Sequence, residues 1–255
     1  MSDLTTKTAL VTGASRGIGR AIARQLAAKG ALIAVHYGSN AAAARETVAL
    51  IEKCGGCAFS VHAELGVPGD VERLFSGLEQ GLRDHIGDLR LDILVNNAAT
   101  TARTGVRPEE VTPAEFGHMF AVNAEAPFFI VQRALGLLSD GGRIINISSG
   151  LTRSADPAQI PYAMSKGALE QLSLHFARHL APRGITVNSV IPGLTDNGGP
   201  AFGTPEVVER LAQISAFKRV GEAVDVADVV VFLATDEARW ITGSFLDATG
   251  GALLG

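Results

Sequence analysis

The chain is poor in the residues from which several functional classes are built. Its only cysteines are Cys54 and Cys57, in a C-x-x-C spacing. A thioredoxin-like pair opens a helix after a strand, whereas this one follows a helix pattern and precedes the apolar run Cys57–Val61. A structural zinc needs four ligands, and His175 and His179 complete such a set only by chance of folding. The pair reads as a reduced turn, with no metal. No basic run or stripe occurs, and 26 acidic residues against 22 Lys and Arg leave a formal net charge of −4. That balance speaks against a nucleic-acid partner. Long apolar runs are missing too: the first seven residues lack a signal-peptide core, and the most apolar later stretches carry Asn123, Glu125 and Arg133. No bilayer span is expected, and a cytoplasmic location is. With 10 prolines and no linker, repeat or charge run to divide it, residues 1–255 read as a single domain.

What is present is alternation. Apolar runs of strand length lie at Thr8–Val11, Leu32–Tyr37, Ala58–His62, Leu91–Val95, Arg143–Ile147, Ile185–Val190 and Ser244–Ala248. Helical patterns separate them at Ile18–Ala28, Asn40–Lys53, Val71–His85, Pro113–Leu138, Tyr162–Leu180, Pro205–Ile214 and Val224–Ala234. This predicts an α/β fold of the Rossmann type, a doubly wound parallel sheet of seven strands with helices on both faces.

Thr12-Gly13-Ala14-Ser15-Arg16-Gly17-Ile18-Gly19 falls between the first strand and the first helix. Glycines there admit close backbone approach, and a helix N-terminus offers N–H groups and positive dipole to a pyrophosphate. The spacing departs from G-x-G-x-x-G, so the strand–turn–helix context carries the reading. At the end of the second strand an NAD site places an acid for the ribose 2′-hydroxyl. Here the chain reads His36-Tyr37-Gly38-Ser39-Asn40, without one. Arg16 supplies a guanidinium, Ser15 and Ser39 supply hydroxyls, and no carboxylate repels a 2′-phosphate. NADP(H) is favoured, with NAD(H) as the alternative.

Tyr162 and Lys166 are four residues apart, one helical turn, so phenol and ammonium project from the same face. A phenol with a pKa near ~10 is a poor acid or base at neutral pH, and an adjacent cation lowers that value. Beside a dinucleotide turn, the pair reads as the proton relay of an oxidoreductase.

With these motifs the chain resembles the single-domain short-chain dehydrogenase/reductase family, and within it the 3-oxoacyl-carrier-protein reductases, over essentially its whole length. The carriers are Thr12–Gly19, Asn96-Asn97-Ala98-Ala99, Asn123, Ser149, Tyr162-x-x-x-Lys166 and Pro192-Gly193. The resemblance implies the strand order 3-2-1-4-5-6-7. It implies Tyr162 as catalytic acid/base and Ser149 as the hydrogen-bonding partner of the substrate oxygen. Lys166 is to hold the nicotinamide ribose and lower the pKa of Tyr162, and Asn123 to support a water linking Lys166 to solvent. Cofactor contacts are implied for Gly13, Gly17, Ile18 and Gly19 in the turn, for Tyr37 and Gly38, and for Asn97 with Ala98 at the ribose. Glu64 and Leu65 are to flank the adenine, and Thr195, after Pro192 and Gly193, to meet the carboxamide. Two positions depart from the family pattern, Glu64 for Asp and Ala99 for Gly.

Two details follow from the residues themselves. Pro127 has no N–H for the carbonyl of Asn123, so a kink is expected there. Ser148 and Ser149 are adjacent on a strand end and point to opposite sides, so only one can face the nicotinamide. The family spacing to the tyrosine selects Ser149.

In the reductive direction a hydride passes to a carbonyl carbon while Tyr162 protonates the oxygen and Ser149 positions it. The complete relay argues against a non-catalytic NADP(H)-sensing regulator. An epimerase or dehydratase is a redox-neutral rival, and an NAD(H)-dependent alcohol or sugar dehydrogenase is a rival within the family. The substrate, a small molecule or an acyl thioester, is expected against Gly150–Ile160 and Leu194–Gly203, the latter a candidate lid through Gly198, Gly199, Pro200 and Gly203. Arg153 reads as exposed rather than substrate-facing. Phe128, Phe129, Leu169, Leu172 and Phe176 put apolar residues on more than one helix face, which indicates burial in the domain or between subunits. The resemblance implies a homotetramer, with a dimer as the alternative.

Overall fold

The computed structural model describes residues 3–101, 107–197 and 204–254. The strands are β1 (Thr8–Val11), β2 (Leu32–Tyr37), β3 (Cys57–His62), β4 (Leu91–Asn96), β5 (Leu138–Ile147), β6 (Thr186–Pro192) and β7 (Phe245–Ala248). They form one parallel sheet in the order β3-β2-β1-β4-β5-β6-β7. β1, β4 and β6 are buried at every residue. Burial on both faces is why these strands stand in the sequence as unbroken runs rather than alternations.

The helices are α1 (Gly17–Ala28), α2 (Ala41–Lys53), α3 (Asp70–Ile86), α4 (Pro113–Phe120), α5 (Ala126–Ala134), α6 (Ile160–Leu180), α7 (Pro205–Ala212) and α8 (Ala223–Ala234). One core packs Ile22 and Leu26 of α1 with Val226 and Val230 of α8 against the sheet. The other joins Leu74 and Leu78 of α3, Ile130 of α5 and Leu169 of α6. Each such side chain contributes roughly 1.5–3 kcal/mol on full burial. Where α3 crosses β3 the approach is close: a Cβ on Gly81 would lie 2.0 Å from the Phe59 ring and force it to move.

Three local features differ from the sequence expectation. The stretch 113–138 is not one helix: a π-helical turn, Ala121–Glu125, separates α4 from α5, and the Ala126 N–H bonds Ala121 O. Pro127 withholds an N–H just there, so the hydrogen-bond ladder slips by one residue instead of merely kinking. β5 begins at Leu138, which pairs with Leu91 before a register shift aligns Arg143 with Ile93. A separate ladder joins Thr195–Asp196 to Gly221–Glu222, too short to leave a periodicity in the sequence.

The order of connection reverses between β1 and β4, and the crevice beyond the carboxyl ends of strands at such a point is where ligands sit in open α/β sheets. At that edge β1 runs into Thr12–Gly19, β4 into Asn97, β5 into Ser149 and β6 into Gly193. Among the described residues no helix is long and apolar enough to cross a membrane. Cys54 and Cys57 are free and exposed.

Candidate active site

The nucleotide end is built on main-chain contacts. Thr12 Oγ1 accepts the N–H groups of Asn97 (2.9 Å) and Ala98 (3.0 Å). Asn97 Nδ2 returns the contact to Thr12 O at 2.8 Å and Gly13 O at 3.2 Å. The resemblance places Asn97 on the cofactor ribose; here its amide nitrogen braces the turn. The turn closes too tightly for side chains, since a Cβ on Gly19 would lie 2.4 Å from Gly13 O. Gly13 itself has φ +64°, in the left-handed region. Arg20 donates to Ser15 O through Nε (3.1 Å) and Nη2 (2.7 Å) and pairs with Glu46. The close approach of glycines ahead of α1 fits a dinucleotide pyrophosphate.

Arg16 is the N-cap of α1 and is exposed. It borders a cavity of about 450 Å³ together with Arg20, Asp196, Asn197 and Glu222. Ser39 is exposed, Tyr37 packs its ring 5.1 Å from that of His62, and Asn40 caps α2 through Ala43 N. Glu64 is exposed while Leu65 is buried. Gly193 lies so close to Thr249 that a Cβ would meet its carbonyl oxygen at 2.7 Å. Thr195 Oγ1 donates to Gly193 O at 3.1 Å. The lid residues Gly198, Gly199, Pro200 and Gly203 lie outside the described residues.

At the chemistry end β5 delivers the two serines to opposite sides. Ser148 Oγ is buried and donates to Glu170 Oε1 at 2.6 Å. Ser149 Oγ accepts the Leu151 N–H at 3.2 Å, and its hydroxyl acts on the Tyr162 phenol to lower its pKa. Pro161 in the first turn of α6 pre-sets the helix, and Tyr162 follows it directly. One turn on, Lys166 is buried, with Nζ donating to Ile147 O at 2.7 Å and lying 5.8 Å from the Tyr162 ring centroid. Burial lowers the Lys166 pKa to about 8. Burial also raises the Tyr162 pKa above its usual value, against the Ser149 hydrogen bond, which lowers it. The Lys166 ammonium is aimed at a backbone carbonyl and is itself disfavoured by burial, so burial sets the direction of the phenol's shift. At neutral pH the phenol holds its proton, the form a general acid requires.

Asn123 sits in the π turn, fully buried. Its carboxamide bonds both main-chain groups of Thr100 at 2.8 Å and donates to Ser165 Oγ at 3.0 Å. Ser165 Oγ in turn donates to Tyr162 O at 2.7 Å, so Asn123 ties the loop after β4 to the first turn of α6. Arg153 is exposed, as expected, and its guanidinium also pairs with the buried Glu170 at 2.7 Å and lies 5.3 Å from the Phe245 ring centroid. Glu170 therefore gathers Ser148, Thr152 and Arg153 directly behind Ser149. Neither Glu170 nor His36, which bonds the glycine turn, was singled out in the sequence. The one signal for His36 is a histidine inside the apolar strand LIAVHY.

The chain matches a protein family described as enoyl-(acyl carrier protein) reductase over residues 13–252. It is similar to the promiscuous reductase LugOII, which catalyses keto-reduction at C1 during lugdunomycin biosynthesis. The two are 67% identical, with TM-score 0.97 and 100% of both chains covered. It is 64% identical to the angucycline C-6 ketoreductase LanV, solved with bound NADP, with TM-score 0.97 over 100% of this chain and 98% of that one. The hydroxynaphthalene reductase-like protein Arp2 of Metarhizium brunneum is 38% identical over 266 residues, covering 98% of this chain and 96% of that protein.

Proposed function

Because the chain belongs to the short-chain dehydrogenase/reductase family, and so to the NAD(P)-dependent oxidoreductases of CH–OH and C=O groups, we propose that it reduces a ketone of a fused-ring aromatic substrate with NADPH. The observation that carries the chemistry is the buried Tyr162 phenol with Lys166 Nζ 5.8 Å from its ring centroid and the Ser149 hydroxyl acting on it from the end of β5.

Bound NADPH supplies a hydride to the carbonyl carbon. The Ser149 and Tyr162 hydroxyls hold the carbonyl oxygen, and the phenol, kept protonated by burial, releases its proton as negative charge develops there. The tyrosinate left behind is stabilised by the Lys166 ammonium and is reprotonated from solvent. Asn123 keeps the first turn of α6 in register with the loop after β4 while this happens. When the cofactor is bound, the main chain of Gly13–Gly19 would hold its pyrophosphate, Leu65 and Glu64 its adenine and Thr195 its carboxamide.

Three observations support a fused-ring ketone ahead of a 3-oxoacyl thioester. LugOII and LanV are keto-reductases by description, and the hydroxynaphthalene of the third relative is a fused aromatic. Ile160 and Met164, flanking Tyr162, and Leu194, beside Gly193, are large apolar side chains left exposed. Apolar surface beside a polar reaction centre suits a flat, largely apolar ligand. NADPH is favoured over NADH by LanV's bound NADP, by the missing acid at Tyr37 and by Arg16. Leu169 and Leu172 are buried within the subunit, whereas Phe128 and Phe129 remain exposed on α5. We assign that outer face to contacts in a homotetramer, a dimer being the alternative; a monomeric mass by light scattering at micromolar concentration contradicts it.

The deciding experiment follows NADPH oxidation with a fused-ring aromatic ketone, a 3-oxoacyl thioester, a sugar and a small ketone. The ketone of a fused aromatic should give the highest kcat/KM. Equal or better turnover of the thioester overturns the substrate assignment, and product formation without net NADPH oxidation points to a redox-neutral enzyme.

A further inference from the structure

We infer that His36 is a positioning residue of the dinucleotide site, one imidazole that joins the glycine turn to the segment forming the adenine wall. The inference rests on the cofactor reading above. His36 lies next to the end of β2 and is 1% exposed. Its Nδ1 accepts the Gly13 N–H at 3.0 Å, and its Nε2 lies 2.9 Å from Ala63 O. A carbonyl only accepts and an N–H only donates, so the two partners fix the tautomer: Nδ1 bare, Nε2 protonated. Burial keeps the ring neutral, lowering its pKa to about 4.

The two partners are the point. Gly13 is the first residue of the turn in the left-handed region, and Ala63 immediately precedes Glu64 and Leu65. These segments leave β1 and β3, which are not neighbours in the sheet; β2 lies between them. The main chain of β2 makes matching contacts, Ala14 N–H to His36 O at 2.8 Å and Ala63 N–H to Tyr37 O at 3.1 Å. The imidazole therefore sets the direction of the Gly13 peptide and its spacing from the Ala63 peptide together. An apolar side chain of similar volume would leave both main-chain groups without this partner in a buried site. The two segments would then be free to separate across the adenosine half of the ligand.

The test measures binding of NADPH, and of 2′,5′-ADP as a probe of the adenosine half alone, alongside steady-state kinetics. In His36→Ala both dissociation constants should rise by about tenfold, the scale of one or two hydrogen bonds. At saturating NADPH, kcat and the ketone KM should stay within about threefold of wild type, because the chemistry end is untouched. His36→Asn keeps an acceptor near the Nδ1 position without a donor for Ala63, and His36→Gln keeps a donor near Nε2 without an acceptor for Gly13. Each should show a smaller rise for both ligands, and these variants decide the matter if His36→Ala does not fold. Unchanged binding of both ligands in the folded variants overturns the inference. So does a loss spread equally over kcat and ketone KM, which is what general loosening of the fold gives. Failure of the wild type to bind NADPH or 2′,5′-ADP would instead strike the cofactor reading itself.

Discussion

Around Thr12–Gly19 side chains are spent mainly on main-chain atoms; around Tyr162 they divide between main-chain atoms and one another. Thr12, Asn97, Arg20 and His36 each bond a backbone N–H or carbonyl of the turn or of its flanks. Ser148 and Arg153 meet Glu170 and Asn123 meets Ser165, while Lys166 bonds Ile147 O and Asn123 also holds both main-chain groups of Thr100. The difference matches two tasks. A pyrophosphate is bound by backbone N–H groups, so what must be fixed there is the path of the chain. A proton relay needs a given protonation state, and that is set by burial and by polar partners.

If the two ends are separately built, substitutions should sort cleanly by the parameter they change. Lys166→Ala tests the one residue assigned to both. It should lose about 10²-fold or more in kcat, the scale of a disabled acid–base relay, and weaken NADPH binding as well. A loss in kcat with cofactor affinity intact would remove Lys166 from the nucleotide side.

Arg16→Ala should leave kcat nearly unchanged and erase most of the NADPH preference. A charge-assisted hydrogen bond of about 1.5–3 kcal/mol corresponds to roughly ten- to hundredfold in affinity. Tyr37→Asp should move the preference toward NADH by adding a ribose acceptor and a repulsive charge. Because Asp196 and Glu222 share a cavity with Arg16, wild-type kcat/KM for NADH equal to or above that for NADPH would show the guanidinium turned to those acids instead.

Glu170→Gln should act only at the other end. It removes the charge paired with Arg153 and unsettles Ser148, with a stability loss of about 1–2 kcal/mol for a pair that solvent partly screens. Urea midpoints measure that loss, and kcat should fall several-fold while NADPH affinity holds. A change in NADPH affinity would mean that the two ends are coupled through β5.

A further effect concerns acid stability. His36 has a folded-state pKa of about 4 against an ordinary 6.5, lowered by burial and then by His62, with the Ala63 hydrogen bond opposing. Between those values the unfolded chain takes up a proton that the folded chain refuses. Stability therefore falls as pH drops from 6.5 toward 4, by up to about 3 kcal/mol over the whole window. His36→Asn should flatten that slope in unfolding experiments across this range. An unchanged slope would place the proton uptake on other groups.

The parts of the molecule legible in the sequence are those where geometry restricts residue type. Strands buried on both faces leave apolar runs, and the tight turn shows as Gly13 and Gly19 because a Cβ has no room at either. The relay was legible as Tyr162 and Lys166 one helical turn apart. The π turn left a single trace, Pro127, which announces a missing N–H without saying how the ladder re-forms. His36 was hidden because its partners are main-chain groups, which every residue carries alike. Glu170 was hidden because its partners come from another element and are brought to it only by the fold. The direction of the Tyr162 shift depends on burial, which the four-residue spacing does not report.

The most direct test of the reductase mechanism is the single-turnover rate of NADPH oxidation by a fused-ring aromatic ketone, compared between wild type and Tyr162→Phe with NADPH binding measured on the same samples. The rate should fall by at least ~10²-fold, the usual scale for removing a general acid, while the dissociation constant of NADPH changes by no more than about twofold, since Phe keeps the ring and loses only the hydroxyl. A near-normal rate in Tyr162→Phe would contradict the assignment of the phenol as the proton donor.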